Sequence, residues 1–423
     1  QMDLCSSPRS PGSALKPFTY ALAIEKNCLY PSEELLDDTL DYGEYNPLNF
    51  DGEYNGLIPA GEALHYSLNV PAVMVLDRIG PAALRDFLVR AGVTTLSKPA
   101  DFYGLGLTLG NCPVRLDEVT AAYVMLANEG DYRRIRYVLD APQSPPERLL
   151  EHGTALSVYE MLRAPFPDEN REGLVSGGGG ALPVCWKTGT STGYHDAWAF
   201  AFNKQYTVGV WLGNNSGEAS RRLIGIRAAL PLAARIFRSL PPKSASAWPN
   251  NAGGDLRPVE ICAISGLPAG PSCPATRTEW LSRNQYLHRV CNVHAPALGG
   301  GTAERWPASA YQWDLAKINR PVTVNSAPLE SGESANEVAV ALSISEPPSR
   351  AEYVLTGEAN GDRIRLATSL DGRQPIHWYL DDRYLGVSTA EKPYYLHLAL
   401  GRHKLACMVE SGQTAATEFA VIR

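Results

Sequence analysis

No run of 18 apolar residues occurs in the 423-residue sequence, so none of it has the length and character of a bilayer-spanning helix. There is no excess of basic charge. Lys and Arg number 38 against 45 Asp and Glu, a formal net charge of −7, which argues against a protein that coats nucleic-acid phosphates. No signal-peptide pattern stands at the start, and the chain opens at Gln1 rather than Met; the expectation is a fragment whose address was written upstream. The eight cysteines, at 5, 28, 112, 185, 262, 273, 291 and 407, include no C-x-x-C pair. They are too sparse for a small disulfide scaffold and leave the redox compartment open. What is present is 44% hydrophobic and 20% charged residues, enough for a sizeable core in about two to three domains.

Three regions differ in pattern. In residues 1–240 a helix is predicted to start at Ser13, after Pro11-Gly12, with Pro17 in a first turn where its missing N–H has no partner to lose. Further helices are predicted near 60–77, 80–91, 115–129 and 154–163. Val184–Ser191, Ala197–Phe202 and Gln205–Leu212 read as strands, the last two joined by a tight Asn203-Lys204 turn. An amphipathic helix follows over 221–239, bent or broken at Pro231. This region is α/β in character. Residues 241–325, rich in Pro, Ala, Gly and Ser, read as a connecting segment that carries a cysteine cluster. In residues 326–423, short alternating stretches at Glu352–Thr356, Arg363–Thr368, His377–Leu380 and Tyr394–Leu400 are spaced by Gly and Asp turns and read as a small β-sandwich.

The chemistry-bearing motifs lie in the first region. Ser13-Ala14-Leu15-Lys16 is the one S-x-x-K in the chain. Ser and Lys three apart at a helix start share a face, and a lysine amine depressed by burial and neighbouring cations can take the hydroxyl proton. Taken alone, the pattern equally describes an N-capped surface helix with a solvated lysine. Ser67-Leu68-Asn69 is an S-x-N that recurs at Ser282 and Ser334, so by itself it is no more than a turn or helix-end hydrogen bond. Lys187-Thr188-Gly189-Thr190 is unique and falls in a predicted strand. Its glycine admits a ligand backbone, the Thr188 and Thr190 hydroxyls can hold a carboxylate, and Lys187 adds positive charge; the plainer reading is an edge strand with a protective lysine.

Together, in this order, the three match the penicillin-recognising serine acyl-transferase set S-x-x-K, S-x-N, K-T-G. The flanks Arg9-Ser10-Pro11-Gly12-Ser13 through Phe18, Tyr45-Asn46-Pro47-Leu48-Asn49-Phe50-Asp51-Gly52, Ala63 through Val73, Gly104 through Gly110, and Lys187 through Trp198 resemble class A penicillin-binding proteins. The segment His377-Trp378-Tyr379-Leu380-Asp381 resembles the C-terminal domain of one branch of that family. The resemblance implies an α/β (α+β) transpeptidase domain of the serine β-lactamase-like fold, followed by a linker and a small immunoglobulin-like all-β sandwich. Strands upstream of the nucleophile helix, a glycosyltransferase part and a membrane anchor are expected to be absent, since only 12 residues precede Ser13.

The resemblance also implies roles. Ser13 would attack the carbonyl between the last two D-alanines of a peptidoglycan stem peptide, with Lys16 as base and Ser67 relaying a proton to the leaving amine. Asn69 would hold the substrate backbone, Lys187 would keep the charge balance, and Thr188, Gly189 and Thr190 would line the carboxylate and oxyanion positions, the oxyanion donors being the N–H groups of Ser13 and Thr190. No cofactor is implied. The expected partners are stem peptides, β-lactams and a cell-wall or envelope protein at the sandwich, with no nucleic acid. The expected location is the periplasmic side of a bacterial inner membrane. A D,D-carboxypeptidase or other penicillin-binding hydrolase would share the motifs, and a non-catalytic penicillin-binding or scaffold module is the non-enzymatic alternative.

Weaker patterns complete the reading. Cys262, Cys273, Cys291 and His294 would make a Cys₃His zinc site, but C-x₁₀-C-x₁₇-C-x₂-H matches no standard finger and a protein outside the cytoplasm more often forms a disulfide. The expectation is therefore no metal. The glycines at 177–180 after Ser176 read as a loop rather than a phosphate cradle, and His195-Asp196 as structural rather than part of a triad.

Overall fold

The structure, a computed structural model, describes residues 3–40, 45–167, 184–241, 254–296, 302–304, 306, 342–348, 351–355, 363–370, 375–381, 383–389, 393–409 and 414–422. The glycine run at 177–180 and all of 307–341, including the S-x-N at Ser334, lie outside the described residues. The chain forms two compact units, Gln1–Glu304 and Arg305–Arg423.

In the first unit a 3-10 turn, Gly12–Leu15, leads into α1, Lys16–Glu25, with Pro17 in its first turn. Lys16 through Ile24 are all buried, so α1 is a central helix enclosed on every side rather than an amphipathic surface helix. A two-stranded antiparallel pair follows, β1 (Glu34–Asp37) with β2 (Gly56–Pro59). The helix predicted over 60–77 is two helices, α2 (Ala60–His65) and α3 (Asn69–Ile79). Pro71 is the reason: in a continuous helix its ring would strike the carbonyl of Ser67 and no N–H would reach it. The chain breaks there, with Ser67 at φ +62. The predicted helix over 221–239 shortens for the same reason. Pro231 lies in the first turn of the observed helix, Ala229–Ser239, and residues 221–228 are turns.

Between these come α4 (Pro81–Arg90), α5 (Ala100–Tyr103), a 3-10 stretch Gly104–Leu109 and α6 (Leu116–Ala127). A short pair, β3 (Asp131–Tyr132) with β4 (Glu147–Arg148), precedes α7 (His152–Leu162). Then β5 (Cys185–Thr190), β6 (Asp196–Phe202) and β7 (Thr207–Gly213) form an antiparallel meander, closed by α8, the helix Ala229–Ser239. Among the described residues this sheet has three strands. The β6–β7 connection is a four-residue turn, Asn203 N–H donating to Tyr206 O at 2.9 Å, rather than a two-residue one.

The sequence of β6, Asp-Ala-Trp-Ala-Phe-Ala-Phe, explains the layering. With side chains alternating across a strand, Trp198, Phe200 and Phe202 enter the large core shared with α1, α6 and α7. Ala197, Ala199 and Ala201 face the other way, onto Ala229, Leu230, Ala233 and Phe237 of α8. All seven residues of β6 are buried, so the strand lies between two helical layers.

The segment read as a connector contains two antiparallel hairpins, β8 (Leu256–Cys262) with β9 (Thr276–Ser282) and β10 (His294–Pro296) with β11 (Thr302–Glu304). Val259, Ile261 and Leu281 pack with Tyr30 in a core of their own. Ser32 Oγ donates to Gly266 O at 2.7 Å, Glu34 N to Ser265 O at 3.0 Å, and Gln285 Nε2 to Leu29 O at 2.6 Å. These residues thus belong to the first compact unit. Periodicity did not expose them because Pro258 lies within β8 and Pro296 within β10, and the β8–β9 connection adds Gly266, Pro268, Gly270, Pro271 and Pro274.

Among its described residues the second unit is all-β. A five-stranded sheet runs in the order β13 (Glu352–Val354), β20 (Thr414–Ile422), β19 (Gly401–Val409), β16 (Ile376–Leu380), β17 (Arg383–Ser388). Two pairs accompany it: β12 (Ile344–Glu346) with β15 (Ala367–Thr368), and β14 (Arg363–Arg365) with β18 (Tyr395–His397). Alternate residues of β19 and β20, among them Leu405, Cys407, Val409, Phe419 and Val421, form one core with Trp378 of β16.

Candidate active site

The S-x-x-K turn is held against the K-T-G strand by backbone contact that only glycine permits. Gly12 has φ +53, and a Cβ there would lie 2.2 Å from Thr190 O; a Cβ on Gly189 would lie 2.1 Å from Pro11 O. Three further bonds fix the turn: Trp198 Nε1 donates to Ser10 O at 2.7 Å, Ser10 Oγ to Gly110 O at 2.7 Å, and Tyr123 OH to Ala14 O at 2.7 Å. Ser13 is half-buried in this turn. Among the described residues its hydroxyl makes no hydrogen bond, including none to Lys16.

The lysines converge on Ser67 and Asn69. Lys16, fully buried, donates from Nζ to Ser67 O at 2.5 Å, Leu68 O at 2.9 Å and Asn69 Oδ1 at 2.7 Å. Lys187, 2% exposed, donates from Nζ to Ser67 Oγ at 2.6 Å and to Thr188 O at 2.9 Å. The break at Ser67 makes this possible, since its left-handed backbone turns carbonyls 67 and 68 onto one amine while the hydroxyl reaches the other. Burial pushes the Lys187 amine down to about 7. Burial, and then the neighbouring Lys187 charge, hold the Lys16 amine well below the ordinary lysine range, opposed by the carboxylate of Asp37.

On β5, Lys187 and Gly189 are buried while Thr188 and Thr190 are half-buried on the opposite face. Thr190 Oγ1 accepts the Gly225 N–H at 2.9 Å, which leaves its own proton to donate. The structure therefore brings Lys16, Ser67, Asn69 and Lys187 into one bonded network, with Ser13 and Thr190 on adjoining backbone.

Two positioning residues escaped the sequence reading. Asn49 Nδ2 donates to Asp37 Oδ1 at 2.8 Å, and Asn49 Oδ1 accepts the Asn69 N–H at 2.8 Å and the Val70 N–H at 3.3 Å. Asp37, with no exposed surface, also accepts from Asn55 N at 2.9 Å and Asn55 Nδ2 at 2.7 Å. This pair caps the start of α3 and sets the Asn69 side chain on Lys16. Asn49 stood within a resembling flank; Asp37 lies in an ordinary-looking Glu-Leu-Leu-Asp and carried no signal.

Gly189-Thr190-Ser191-Thr192-Gly193 also spells G-x-S-x-G, against the expectation that the sequence holds no such elbow motif. It is not a nucleophile elbow: β5 runs by a turn into β6, no helix follows, and buried Ser191 Oγ accepts the Asp196 N–H at 2.8 Å. His195 Nδ1 pairs with Gly217 O at 2.7 Å and Asp196 Oδ1 accepts Trp211 Nε1–H at 2.9 Å, so this pair is structural. Cys262, Cys273, Cys291 and His294 do come together, the three cysteines as free thiols.

The fold and the three assembled motifs define a penicillin-binding transpeptidase domain. Residues 1–238 match the penicillin-binding protein transpeptidase domain and 331–419 the penicillin-binding protein C-terminus family; the chain belongs to the penicillin-binding protein transpeptidase family. It is 34% identical over 278 residues to penicillin-binding protein 1C of Escherichia coli (strain K12), a match covering 64% of this chain and 34% of that protein. To penicillin-binding protein 1F of Bacillus subtilis (strain 168) it is 25% identical over 284 residues, 62% of this chain and 38% of the relative. The crystal structure of penicillin-binding protein 1A from Haemophilus influenzae shares the fold at a TM-score of 0.51 and 19% identity, covering 67% of this chain and 49% of that one. The chain thus spans about a third of the length of these curated relatives. No helix among the described residues is long and apolar enough to cross a membrane.

Proposed function

We propose that the chain carries the acyl-transfer site of a peptidoglycan D,D-transpeptidase, working on stem peptides on the periplasmic side of the inner membrane and trapped by β-lactams. The observation that carries this reading is the network in which two depressed lysine amines share Ser67 beside the nucleophile turn. A protonated Lys16 spends all three of its hydrogens on its three acceptors. Neutral Lys16 has only two, so its lone pair is free to turn to Ser13 Oγ once one carbonyl is released.

Ser13 Oγ then bonds to the penultimate D-alanine carbonyl carbon and its proton passes to Lys16. The N–H groups of Ser13 and Thr190 face the developing oxyanion, an interaction of about 3–4 kcal/mol in comparable sites. Ser67 Oγ, bonded to Lys187 Nζ, hands a proton to the departing D-alanine amine as the C–N bond breaks and is refilled by the proton that Lys16 took from Ser13. An acceptor amine attacks the Ser13 ester, its proton passes through neutral Lys16 to the released Ser13 Oγ, and the new amide is the cross-link. The Lys187 charge and the Thr188 and Thr190 hydroxyls hold the terminal carboxylate, and Asn69 the peptide backbone.

Labelling with a fluorescent penicillin tests this. The expected result is one label per chain, lost in Ser13→Ala. A folded parent chain that takes no label overturns the reading. A labelled chain that releases D-alanine from a stem-peptide mimic equally with and without an acceptor amine is instead a carboxypeptidase.

A further inference from the structure

The hairpin segment 254–304 holds a cluster that the acyl-transfer chemistry does not use. Cys262 ends β8, Cys273 lies in the β8–β9 connection, Cys291 follows β9, and His294 opens β10. Separated by up to 32 residues in sequence, their four ligating atoms all lie within 4.8 Å of one another. His294 Nδ1 stands 3.4 Å from Cys262 Sγ and 3.2 Å from Cys291 Sγ. Ligands at 2.0–2.3 Å from a tetrahedral ion stand about 3.5–3.8 Å apart, so the two imidazole–sulfur separations fit a common ion with shifts of a few tenths of an ångström, and the widest separation in the set closes onto it with a shift of about 1 Å.

The surroundings suit thiolates. Each sulfur receives a donor from the protein: Ser265 N–H onto Cys262 Sγ at 3.4 Å, Ser265 Oγ–H onto Cys291 Sγ at 3.2 Å, and Gly270 N–H onto Cys273 Sγ at 3.2 Å. The His294 side chain has no exposed surface, and its Nε2 stands 3.9 Å from Glu304 Oε1, placing a carboxylate where metal-bound imidazoles commonly find their outer partner. A disulfide would use two of the three sulfurs and strand the third beside a fully buried imidazole.

From this geometry we propose that Cys262, Cys273, Cys291 and His294 bind one zinc ion. With four protein ligands and no open position it is a structural site. Its effect reaches beyond the hairpins. The turn that donates to Cys262 and Cys291 also offers Ser265 O to Glu34 N and Gly266 O to Ser32 Oγ, at the start of β1, the strand that delivers Asp37 to the Asn69 network. The ion therefore closes the loops that brace that strand.

The full chain, purified without chelator, is assayed for metal and for thiols. One zinc per chain is expected, released by a mercurial, with all eight cysteines titrating as thiols after denaturation and metal removal. Zinc-depleted chain reloaded with Co²⁺ is expected to show thiolate-to-cobalt charge transfer and tetrahedral visible bands. Cys291→Ser and His294→Ala are each expected to reduce bound zinc at least tenfold. Because these variants can misfold, the cobalt spectrum of the unaltered chain stands as an independent reading. A metal-free chain with two fewer thiols than eight, a metal-free chain with eight thiols and no cobalt bands, or a stoichiometric metal other than zinc overturns the proposal.

Discussion

At the scale of single residues, the site is a problem of two amines in one dry space. Lys187, with its amine at about 7 instead of the ordinary 10.5, is charged in the unfolded chain and largely neutral in the folded one between those values. The unfolded state then binds more protons, so stability rises with pH across that window. At about 1.4 kcal/mol per pH unit, the gain from pH 7 to 9 is roughly 3 kcal/mol at most. Urea unfolding of the chain and of Lys187→Met should show it, with the difference in favour of the parent growing as pH rises; an unchanged difference would place the amine at its ordinary value. The same titration acts on the chemistry in the opposite sense. The charge that holds a carboxylate fades above pH 7, so the second-order rate of penicillin acylation should fall about tenfold per pH unit there. Asn49 tests the positioning network. Asn49→Ala removes two donor contacts to Asp37 and the acceptor that fixes Asn69 N–H, leaving a buried carboxylate short of partners. About 2–3 kcal/mol of stability should go, and acylation should slow by roughly 10–100-fold with the Lys16 and Lys187 side chains themselves intact.

At the scale of elements, the decisive fact is how closely the nucleophile turn lies on β5. A methyl on Gly12 meets the Thr190 carbonyl head-on at a positive φ, whereas Gly52, at φ +80, faces open space. Gly12→Ala should therefore abolish labelling and cost about 3 kcal/mol or more, while Gly52→Ala costs about 1 kcal/mol from backbone strain alone and keeps its label. Equal effects of the two would mean that conformation, not contact, governs the turn. Elements of this kind divide what the sequence discloses from what it hides. The strand at 196–202 was legible because aromatic and alanine residues alternate, and the helices near 80–91, 115–129 and 154–163 because their apolar spacing is helical. Pro231 reads as a break and does mark the first turn of α8, whereas Pro71 did not enter the reading and the predicted helix over 60–77 is split just before it. The S-x-x-K, S-x-N and K-T-G motifs were legible as types, yet nothing in Ser67-Leu68-Asn69 announces a left-handed serine whose carbonyl and hydroxyl serve different lysines. Asp37 was hidden because a buried carboxylate is defined by partners 12 and 18 residues away. The set Cys262, Cys273, Cys291 and His294 was legible as a candidate ligand group, but its spacing matched no standard finger because it follows hairpin connections rather than a fixed repeat.

At the scale of the whole molecule, the two units have separate cores. Trp198, Phe200 and Phe202 anchor the first, which includes α1 and the nucleophile turn. Trp378, fully buried with its Nε1–H on Ser388 Oγ at 2.8 Å, anchors the second with Phe419 and Leu405. Removing a fully buried tryptophan costs about 3–5 kcal/mol, comparable to the whole stability of a domain of this size. Trp378→Ala should therefore remove or lower one calorimetric transition and leave the other in place. The retained transition should belong to the acyl-transfer unit, so fluorescent penicillin should label Trp378→Ala at the parent rate. Trp198→Ala supplies the opposite case. It takes a side chain from the first core and also removes the Nε1–H that holds Ser10 O, so labelling and the first transition should fail together while the second transition persists. Loss of labelling in Trp378→Ala would show instead that the active-site unit depends on the β-domain for its fold, and the two cores would then be one cooperative system.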